Sequence, residues 1–322
     1  MSPAPDTAPP ADHRWHAGER AVQSRLGASD VAARIARSIR PTLPPVAAAF
    51  LADQPMLVIG ASDDEGSPWA SLLVGPPGFI HPTSSTSVDV RALPAPGDPL
   101  HTTLAEAPAE VGTIAIEPAS RRRMRLNGHS RPTLSTGDQP GLALTLREVF
   151  ANCPKYISAR TVATTSGGAA GPSRRSPALS DADVSLIRAA DTFFITTSDA
   201  EGGVDSSHRG GRPGFVSVDD REISFADYAG NSMYITLGNL EVNPRAGLLF
   251  LDFASGDILQ VTGSAWVDFG LVHPGAAGAL RTVRFRVREV VRQPGATGLV
   301  WGPAEASRFS PDPAAIGGTI QP

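Results

Sequence analysis

The chain repeats itself at a nearly constant spacing, and this repeat limits the folds it can adopt. Segments of the first half recur in the same order in the second: Met56–Ile59 and Thr192–Ile195, Pro77–Ile80 and Pro213–Val216, Gly112–Glu117 and Gly247–Asp252, Arg147–Val149 and Arg288–Val290. The separations are 136, 136, 135 and 141 residues, so the insertions between matches are small. A repeat of this length predicts two tandem copies of one domain.

Each copy is predicted to be mainly β. A short helix opens it, over Pro44–Asp53 in the first copy and Ser180–Ala190 in the second, where Ser180 is a candidate N-cap. Short β-type runs follow, interrupted by one helix near Met233–Glu241 that ends at Asn243 and Pro244. Five or six short strands with one inserted helix favour a small antiparallel barrel, because closure removes exposed edge strands.

The repeat and the composition of the connecting stretches set the expected boundaries. We predict a helical extension over 1–43, with Val31, Ile35 and Ile39 on one helix face, and barrels over 44–160 and 180–295. The Gly-, Ser- and Arg-rich stretch 161–179 is the predicted linker, and 296–322 a flexible tail.

Charge and cysteine content exclude several classes of protein. The net charge is −4 with a pI near 6.0, which argues against a nucleic-acid-binding protein. The single cysteine, Cys153, excludes an internal disulfide and a multi-thiolate metal site. The longest apolar runs fall well short of a membrane helix, and no signal-peptide pattern is present, so we expect a cytoplasmic protein.

The second copy contains the segments Arg212–Val216, Gly230–Ser232 and Asn243–Phe250, followed by a strand containing Gly263. Through these segments it resembles the pyridoxamine 5'-phosphate oxidase-like, FMN-binding split-barrel family. With both repeats included, the chain looks like a two-copy branch of that family. The resemblance implies two tandem split β-barrels that form an intrachain pseudo-dimer.

The family resemblance also implies a cofactor and a chemistry. FMN would lie in the groove between the two barrels, and the protein would be an oxidoreductase that acts on a small molecule through flavin N5. An external electron-transfer partner and a further homodimer are both compatible with it. No convincing Arg-x-His segment is found near the C-terminus, so oxidation of vitamin B6 itself is not expected.

Five residues of the second copy are predicted to hold the FMN phosphate. By resemblance Arg212 takes the place of the family's phosphate-binding arginine, while the family's Ser-Arg-Lys loop is replaced by Asn231, Ser232 and a methionine. A helix N-terminus after this loop would attract phosphate without a cationic side chain, and Arg209 and His208 are added as helpers. The first-copy loop instead contains Asp98 and Pro99, which disfavours an anion.

Three basic residues of the first copy are further candidates. Alternation along a strand places Arg123 and Arg125 on one face, from which they could reach across the pseudo-dimer toward flavin or an anionic substrate. The alternative is a charged, solvated edge strand. Lys155 is the only lysine in the chain and is a candidate partner for the phosphate or the flavin, or else an exposed linker residue.

Two alternatives to a flavin oxidoreductase stay open. The protein could bind flavin or haem without turnover, with His13 or His16 as haem ligands; His13, His16 and Glu19 could also only belong to a cap over the barrel. The two barrels could instead form a protein-interaction scaffold. No side chain is an obvious catalytic acid or base, and His208 and Tyr228 are the nearest candidates.

Overall fold

The computed structural model of the chain describes residues 14–135, 139–165 and 171–312. The first half has four helices, α1 (Ala17–Arg25), α2 (Ser29–Ile35), α3 (Pro45–Ala52) and α4 (His101–Glu106), with a short 3-10 helix, Ala36–Ser38, after α2. Its strands are β1 (Met56–Ser62), β2 (Pro68–Val74), β3 (Ile80–Ser84), β4 (Ser87–Val90), β5 (Ala109–Glu117), β6 (Arg122–Ser135) and β7 (Gln139–Ala151).

The second half repeats this plan after two short strands, β8 (Val162–Thr165) and β9 (Arg174–Ser176). Helix α5 (Asp181–Ala189) opens it and α6 (Ile235–Val242) is inserted between strands. The remaining strands are β10 (Thr192–Ser198), β11 (Val204–Gly210), β12 (Val216–Asp219), β13 (Glu222–Asp227), β14 (Arg245–Leu251), β15 (Ile258–Asp268), β16 (Arg281–Gln293) and β17 (Leu299–Trp301).

The two halves have the same sheet topology. The first sheet has the antiparallel order β2-β1-β5-β6-β7-β4-β3, and the second has the order β11-β10-β14-β15-β16-β13-β12. A register shift interrupts the β6–β7 pair at Asn127/Gly128 and the β15–β16 pair at Thr262/Gly263, the same place in each copy. The prediction of two tandem split β-barrels is therefore confirmed.

Each barrel has its own apolar core, and a third cluster joins the barrels. Phe193, Phe225 and Phe250 are among the residues at the centre of the second core. The joint cluster brings side chains of β1, β2 and β5, such as Val58, together with side chains of β10 and β14, such as Leu249. The barrels thus form a pseudo-dimer within one chain.

Two glycines show how closely the barrels approach. A Cβ atom on Gly112 of β5 would lie 2.6 Å from the Cα of Asp205 on β11. A Cβ atom on Gly247 of β14 would lie 2.6 Å from the carbonyl oxygen of Pro68 on β2. Contacts this short leave no room for any side chain, so main chain packs against main chain at these points.

The helices agree with the sequence patterns. Ser180 caps α5 in a reciprocal capping box with Asp183, and α6 ends before Asn243 and Pro244. The predicted amphipathic helix of the extension is shorter than its pattern indicated, since Ile35 ends α2 and the chain continues as the short 3-10 helix.

The C-terminal segment differs from the prediction of a flexible tail. Strand β17 pairs antiparallel with β8, which lies in the predicted linker, and Trp301 is buried against Phe253. This pairing satisfies main-chain groups of both segments, and burial of the indole stabilises it. No helix within the described ranges is long and apolar enough to span a bilayer.

Candidate functional site

A cleft between the two barrels gathers most of the predicted site residues. Its volume is about 100 Å³. Strand β6 of the first barrel forms one wall, while β11, the end of β13 and the first turn of α6 form the others. We call this void the arginine cavity, after the three arginines that line it: Arg123, Arg125 and Arg209.

Two of these arginines reach the cavity from the first barrel. Arg125 is buried, and its Nη1 lies 3.1 and 2.9 Å from the two carboxylate oxygens of Asp205 on β11. Arg123 donates to Nδ1 of His208 at 2.8 Å and to the carbonyl oxygen of Cys153 at 2.7 Å. Arg122, between them on the strand, is exposed and pairs with Glu117 instead, so the predicted alternation is observed.

The third arginine belongs to the second barrel and has a carboxylate partner. Arg209 Nη1 lies 2.7 Å from Asp227 Oδ1, and the other oxygen of Asp227 lies 3.5 Å from Arg281. The two carboxylates of Asp205 and Asp227 thus pair with three guanidinium groups. Arg123 has no carboxylate partner in the described part of the chain. The wall of the cavity therefore carries an excess of positive charge.

Burial shapes the protonation of these groups. Desolvation, assisted by the charge of Arg125, lowers the pKa of Arg123 to about 10, and desolvation also lowers the pKa of Arg209. Burial and then the charge of Arg123 hold the pKa of His208 well below its usual value. At neutral pH the guanidinium groups stay charged and the imidazole is neutral.

The hydrogen bond to Arg123 also fixes the tautomer of His208. A guanidinium group can only donate, so Nδ1 of His208 accepts, and the single ring proton of the neutral imidazole is on Nε2. This Nε2 is buried and has no partner among the described residues. His208 therefore contributes an unused N–H donor.

Three more buried donors around the cavity are unused. The Nε atoms of Arg123, Arg125 and Arg209 have no hydrogen-bond partner in the described residues. Buried polar groups are normally paired, and an unpaired one costs about 1–3 kcal/mol. Four unpaired donors beside one positively charged void indicate a ligand rich in acceptor oxygens, such as a phosphate, carboxylate or carbonyl compound.

The loop before α6 closes one side of the cavity. Asn231 accepts a hydrogen bond from the main-chain N–H of Met233 at 3.1 Å, so its side chain stabilises the turn, while Ser232 and Tyr234 both have a φ of 60°. The first turn of α6 follows at once and lines the cavity. Its N–H groups precede the first helical hydrogen bond and carry the positive end of the helix dipole.

Two stacked tyrosines stand beside the cavity. The rings of Tyr156 and Tyr228 are 5.1 Å apart and inclined by 21°, and both line the void. Tyr156 donates from its hydroxyl to the carbonyl oxygen of Ala229 at 2.9 Å, which ties the end of the first barrel to the loop before α6. The pair offers a flat apolar surface next to the charged wall.

Six of the eight predicted site residues line this cavity: Arg123, Arg125, His208, Arg209, Asn231 and Ser232. Arg212 and Lys155 do not. Arg212 lies beyond the end of β11 and forms an ion pair with Asp312 at 3.0 Å, and Lys155 lies over the ring of Phe309 at 5.6 Å. Both cations therefore contact the C-terminal segment, which the sequence patterns did not place here.

Sequence reasoning missed the two carboxylates and Tyr156. A signal for Asp205 was available, since it stands in a short β-type run beside Val204, Ser206 and Ser207, and a buried acid requires a cationic partner. For Tyr156 the sequence held no comparable signal, because its position follows from the packing of the two barrels.

The equivalent place in the first barrel is filled by protein atoms. Asp98 is buried there and accepts hydrogen bonds from Ser71 at 2.6 Å, the main-chain N–H of Leu100 at 2.8 Å and Gln260 at 2.9 Å. Gln260 of β15 is the repeat counterpart of Arg125. Gln293 donates to the same carboxyl at 3.3 Å.

The N-terminal histidine pattern has a structural role. His16 caps α1, accepting from Gly18 N–H at 3.1 Å through Nδ1, while its Nε2 lies 2.8 Å from Oδ1 of Asn239. Both ring nitrogens are therefore occupied. His13 lies outside the described residues, and the described residues contain no group of three His, Cys, Asp or Glu side chains spaced to hold a metal ion.

Comparisons with known proteins agree with this fold. The family model for pyridoxamine 5'-phosphate oxidase matches residues 179–267, which is most of the second barrel. No curated protein matches the chain.

Several solved structures align with about one barrel each. HupZ of Group A Streptococcus is 15% identical with a TM-score of 0.29, covering 35% of this chain and 91% of its own. The FAD-binding protein of Mycobacterium smegmatis is 15% identical with a TM-score of 0.26, covering 38% and 98%. HutZ, the heme storage protein of Vibrio cholerae, is 15% identical with a TM-score of 0.24, covering 32% and 84%.

The matched residues contain β11, β13 and the loop before α6, the part of the second barrel that faces the arginine cavity. Over residues 179–267 the chain is thus similar to the pyridoxamine 5'-phosphate oxidase-like split-barrel family.

Proposed function

We propose that the arginine cavity binds FMN and that the protein is a flavin-dependent oxidoreductase acting on a small molecule. The observation that carries the proposal is the set of four unpaired buried donors, on Arg123, Arg125, His208 and Arg209, beside a void with excess positive charge. The cavity of about 100 Å³ suits a phosphate or a ring edge and is smaller than the range of about 300–1,000 Å³ for small-molecule sites, so the rest of FMN would lie outside it.

The residues present fit the oxygen-rich and aromatic parts of such a ligand in kind. Arg123, whose charge lacks a carboxylate partner, and the first turn of α6 would hold the phosphate. The Nε2–H of His208 would donate to a carbonyl or phosphate oxygen, and Tyr156 and Tyr228 would cover the apolar part. Bound FMN would supply hydride or electron transfer, and the protein would orient it and limit access of water.

A titration of ligand-free protein with FMN and with riboflavin tests the proposal, because riboflavin lacks the phosphate. We expect FMN to bind with quenching of its fluorescence and at least about tenfold more tightly than riboflavin, equivalent to about 1.4 kcal/mol. Replacement Arg123→Gln should weaken FMN by about 10–100-fold and reduce the preference over riboflavin. Colourless protein that does not respond to added FMN would contradict the proposal.

The neighbouring exposed arginine gives a matched control. Arg122→Gln removes the same charge from the same strand but from the opposite face, so FMN affinity should be unchanged. Reduction of bound FMN by NADH or NADPH, followed by reoxidation with an artificial acceptor, tests the oxidoreductase part separately.

Storage or sensing of flavin without turnover is the second candidate, and the structure favours it over haem binding. The hydrogen bond from Arg123 places the ring proton of His208 on Nε2, where it blocks coordination of iron, and both nitrogens of His16 are engaged. Two results would support this candidate. Bound FMN would not be reduced by NADH or NADPH, and bound FMN reduced with dithionite would not turn over electron acceptors.

A further inference from the structure

A second void on the other side of the Arg125–Asp205 ion pair has the opposite charge. It measures about 500 Å³ and lies between α1, α6, β7 and the start of β11. We call it the acidic cavity, after its six carboxylate residues: Glu19, Glu110, Glu148, Asp199, Glu201 and Asp205. Its basic lining residues are Arg14, His16 and Arg147.

Few of these carboxylates have cationic partners. Arg147 pairs with Glu110, and Asp205 is paired with Arg125. Arg14 directs its guanidinium to the carbonyl oxygens of Ala36 and Ile39. In the described ranges, the remaining acids that form no salt bridge with lysine or arginine are Glu19, Glu148, Asp199 and Glu201.

Two buried groups in the wall point to a missing cation. Asn127 is 4% exposed and uses its amide nitrogen on Glu148 and Asp205, while its Oδ1 has no partner among the described residues. Glu19 is 5% exposed and accepts one hydrogen bond, from the main-chain N–H of His16. An unpaired buried acceptor beside Glu148, an acid without a lysine or arginine partner among the described residues, is a costly arrangement that a bound donor cation would relieve.

The geometry selects the kind of cation. The described side chains contain no group of three acids or histidines close enough to share a metal ion, although carboxylate and amide oxygens are what hard metal ions prefer. Carboxylates spread over 500 Å³ instead match separate charges on one flexible molecule. We propose that the acidic cavity binds a small aliphatic amine with two or more protonated nitrogens, independently of the flavin.

The protonation of Glu19 agrees with this. Burial, with smaller contributions from Glu148, Asp205 and Asp199, raises the pKa of Glu19 to about 8, so near neutral pH its carboxyl group is mostly protonated. A cation next to it favours the charged form, and binding should release a proton. The heat of binding then depends on the ionisation enthalpy of the buffer.

Isothermal titration calorimetry of the full chain at constant ionic strength tests the proposal, with putrescine, spermidine and magnesium chloride as probes. We expect one site for the amines, tighter for spermidine than for magnesium, with proton release. Glu148→Gln should weaken spermidine about tenfold, or about 1.4 kcal/mol, and Glu201→Gln, in the hairpin turn, should weaken it less. Glu65→Gln removes an exposed acid outside the cavity and should change nothing.

The outcomes separate clearly. Spermidine binding that falls in Glu148→Gln and Glu201→Gln but not in Glu65→Gln supports the site. Absence of amine binding by folded wild-type protein, equal effects of the three replacements, or tighter binding of magnesium than of spermidine would overturn it. Because the hairpin residue Glu201 is remote from the core, its variant keeps the test decisive if Glu148→Gln does not fold.

Discussion

The arginine cavity and its counterpart in the first barrel occupy equivalent places in the same topology but have opposite contents. In the first barrel Asp98 supplies a carboxyl group of its own, and Ser71, Gln260 and Gln293 donate to it. At the arginine cavity Arg125 of the first barrel stands at the repeat position of Gln260, and donors remain unpaired. The polar groups around Asp98 are thus hydrogen-bonded to one another, whereas the arginine cavity keeps donors that a ligand could use.

The comparison also shows that each place is built by both barrels. Gln260 of the second barrel reaches Asp98 of the first at 2.9 Å, and Arg125 of the first reaches Asp205 of the second at 2.9 Å. Gln260 also donates to Ser71 and Arg125 to Ser207, and because these serines are repeat counterparts the two contacts are the intrachain form of a two-fold interface, in which residue i contacts j and j contacts i. Duplication within one chain allowed the two places to diverge, because each copy changes independently.

Arg125→Gln places in the arginine cavity the residue type of Gln260, the repeat counterpart of Arg125. This replacement should have the largest effect on stability. It leaves Asp205 buried without its cation, so the free energy of unfolding should fall by about 3–5 kcal/mol. Chemical denaturation measures this loss. The double variant Arg125→Gln/Asp205→Asn should recover much of it, and failure to recover would mean that the ion pair is not the cause.

Asp98→Ala tests the counterpart site in the first barrel by removing the carboxyl group that fills it. The amides of Gln260 and Gln293 and the hydroxyl of Ser71 lose their acceptor, and we expect the free energy of unfolding to fall by about 2–3 kcal/mol. Asp98→Asn keeps the size of the side chain and should cost less. A larger loss for Asn than for Ala would contradict the described network.

The two places should also respond oppositely to pH. Burial raises the pKa of Asp98, so its contribution to stability is complete below the unfolded pKa and is lost as the pH rises through the folded one. Burial lowers the pKa of His208, so its contribution is complete above the unfolded pKa and is lost as the pH falls. Each proton changes the unfolding free energy by at most about 1.4 kcal/mol per pH unit.

Measuring the free energy of unfolding of Asp98→Asn and His208→Gln across a range of pH separates the contributions of Asp98 and His208. Asp98→Asn should flatten the loss of stability toward high pH, and His208→Gln should flatten the loss toward low pH. If both variants kept the wild-type profile, neither group would be titrating as its burial requires.

Tyr156→Ala is expected to have the smallest effect. It changes the stacked tyrosines beside the arginine cavity, and the described residues of the first barrel contain no equivalent stacked pair. Loss of the stack on Tyr228 and of the hydrogen bond to Ala229 should weaken FMN by about 0.5–1.5 kcal/mol. Tyr156→Phe keeps the stack and should retain most of the affinity, as fluorescence titration can show.

The sequence predicted the fold well because repeats and strand patterns are local signals. Matching segments at nearly constant spacing were enough to predict two copies of one barrel, and alternation along β6 separated Arg123 and Arg125 from Arg122. Arg212 and Lys155 were harder to place, because their positions depend on the C-terminal segment, which pairs with the linker through contacts distant in sequence. The acidic cavity could not be predicted for the same reason, since α1 and both barrels, which are distant in sequence, together form its walls.

The close approach at Gly112 and Gly247 limits how the molecule can admit a ligand. Main chain meets main chain at these two points, so the barrels cannot move nearer, and repacking of side chains cannot adjust their separation. A molecule as large as a flavin therefore has to enter where side chains can rotate, beside Tyr156 and Tyr228. Adaptation to new ligands would then proceed by exchanging residues at this entrance, while the seam between the barrels stays the same.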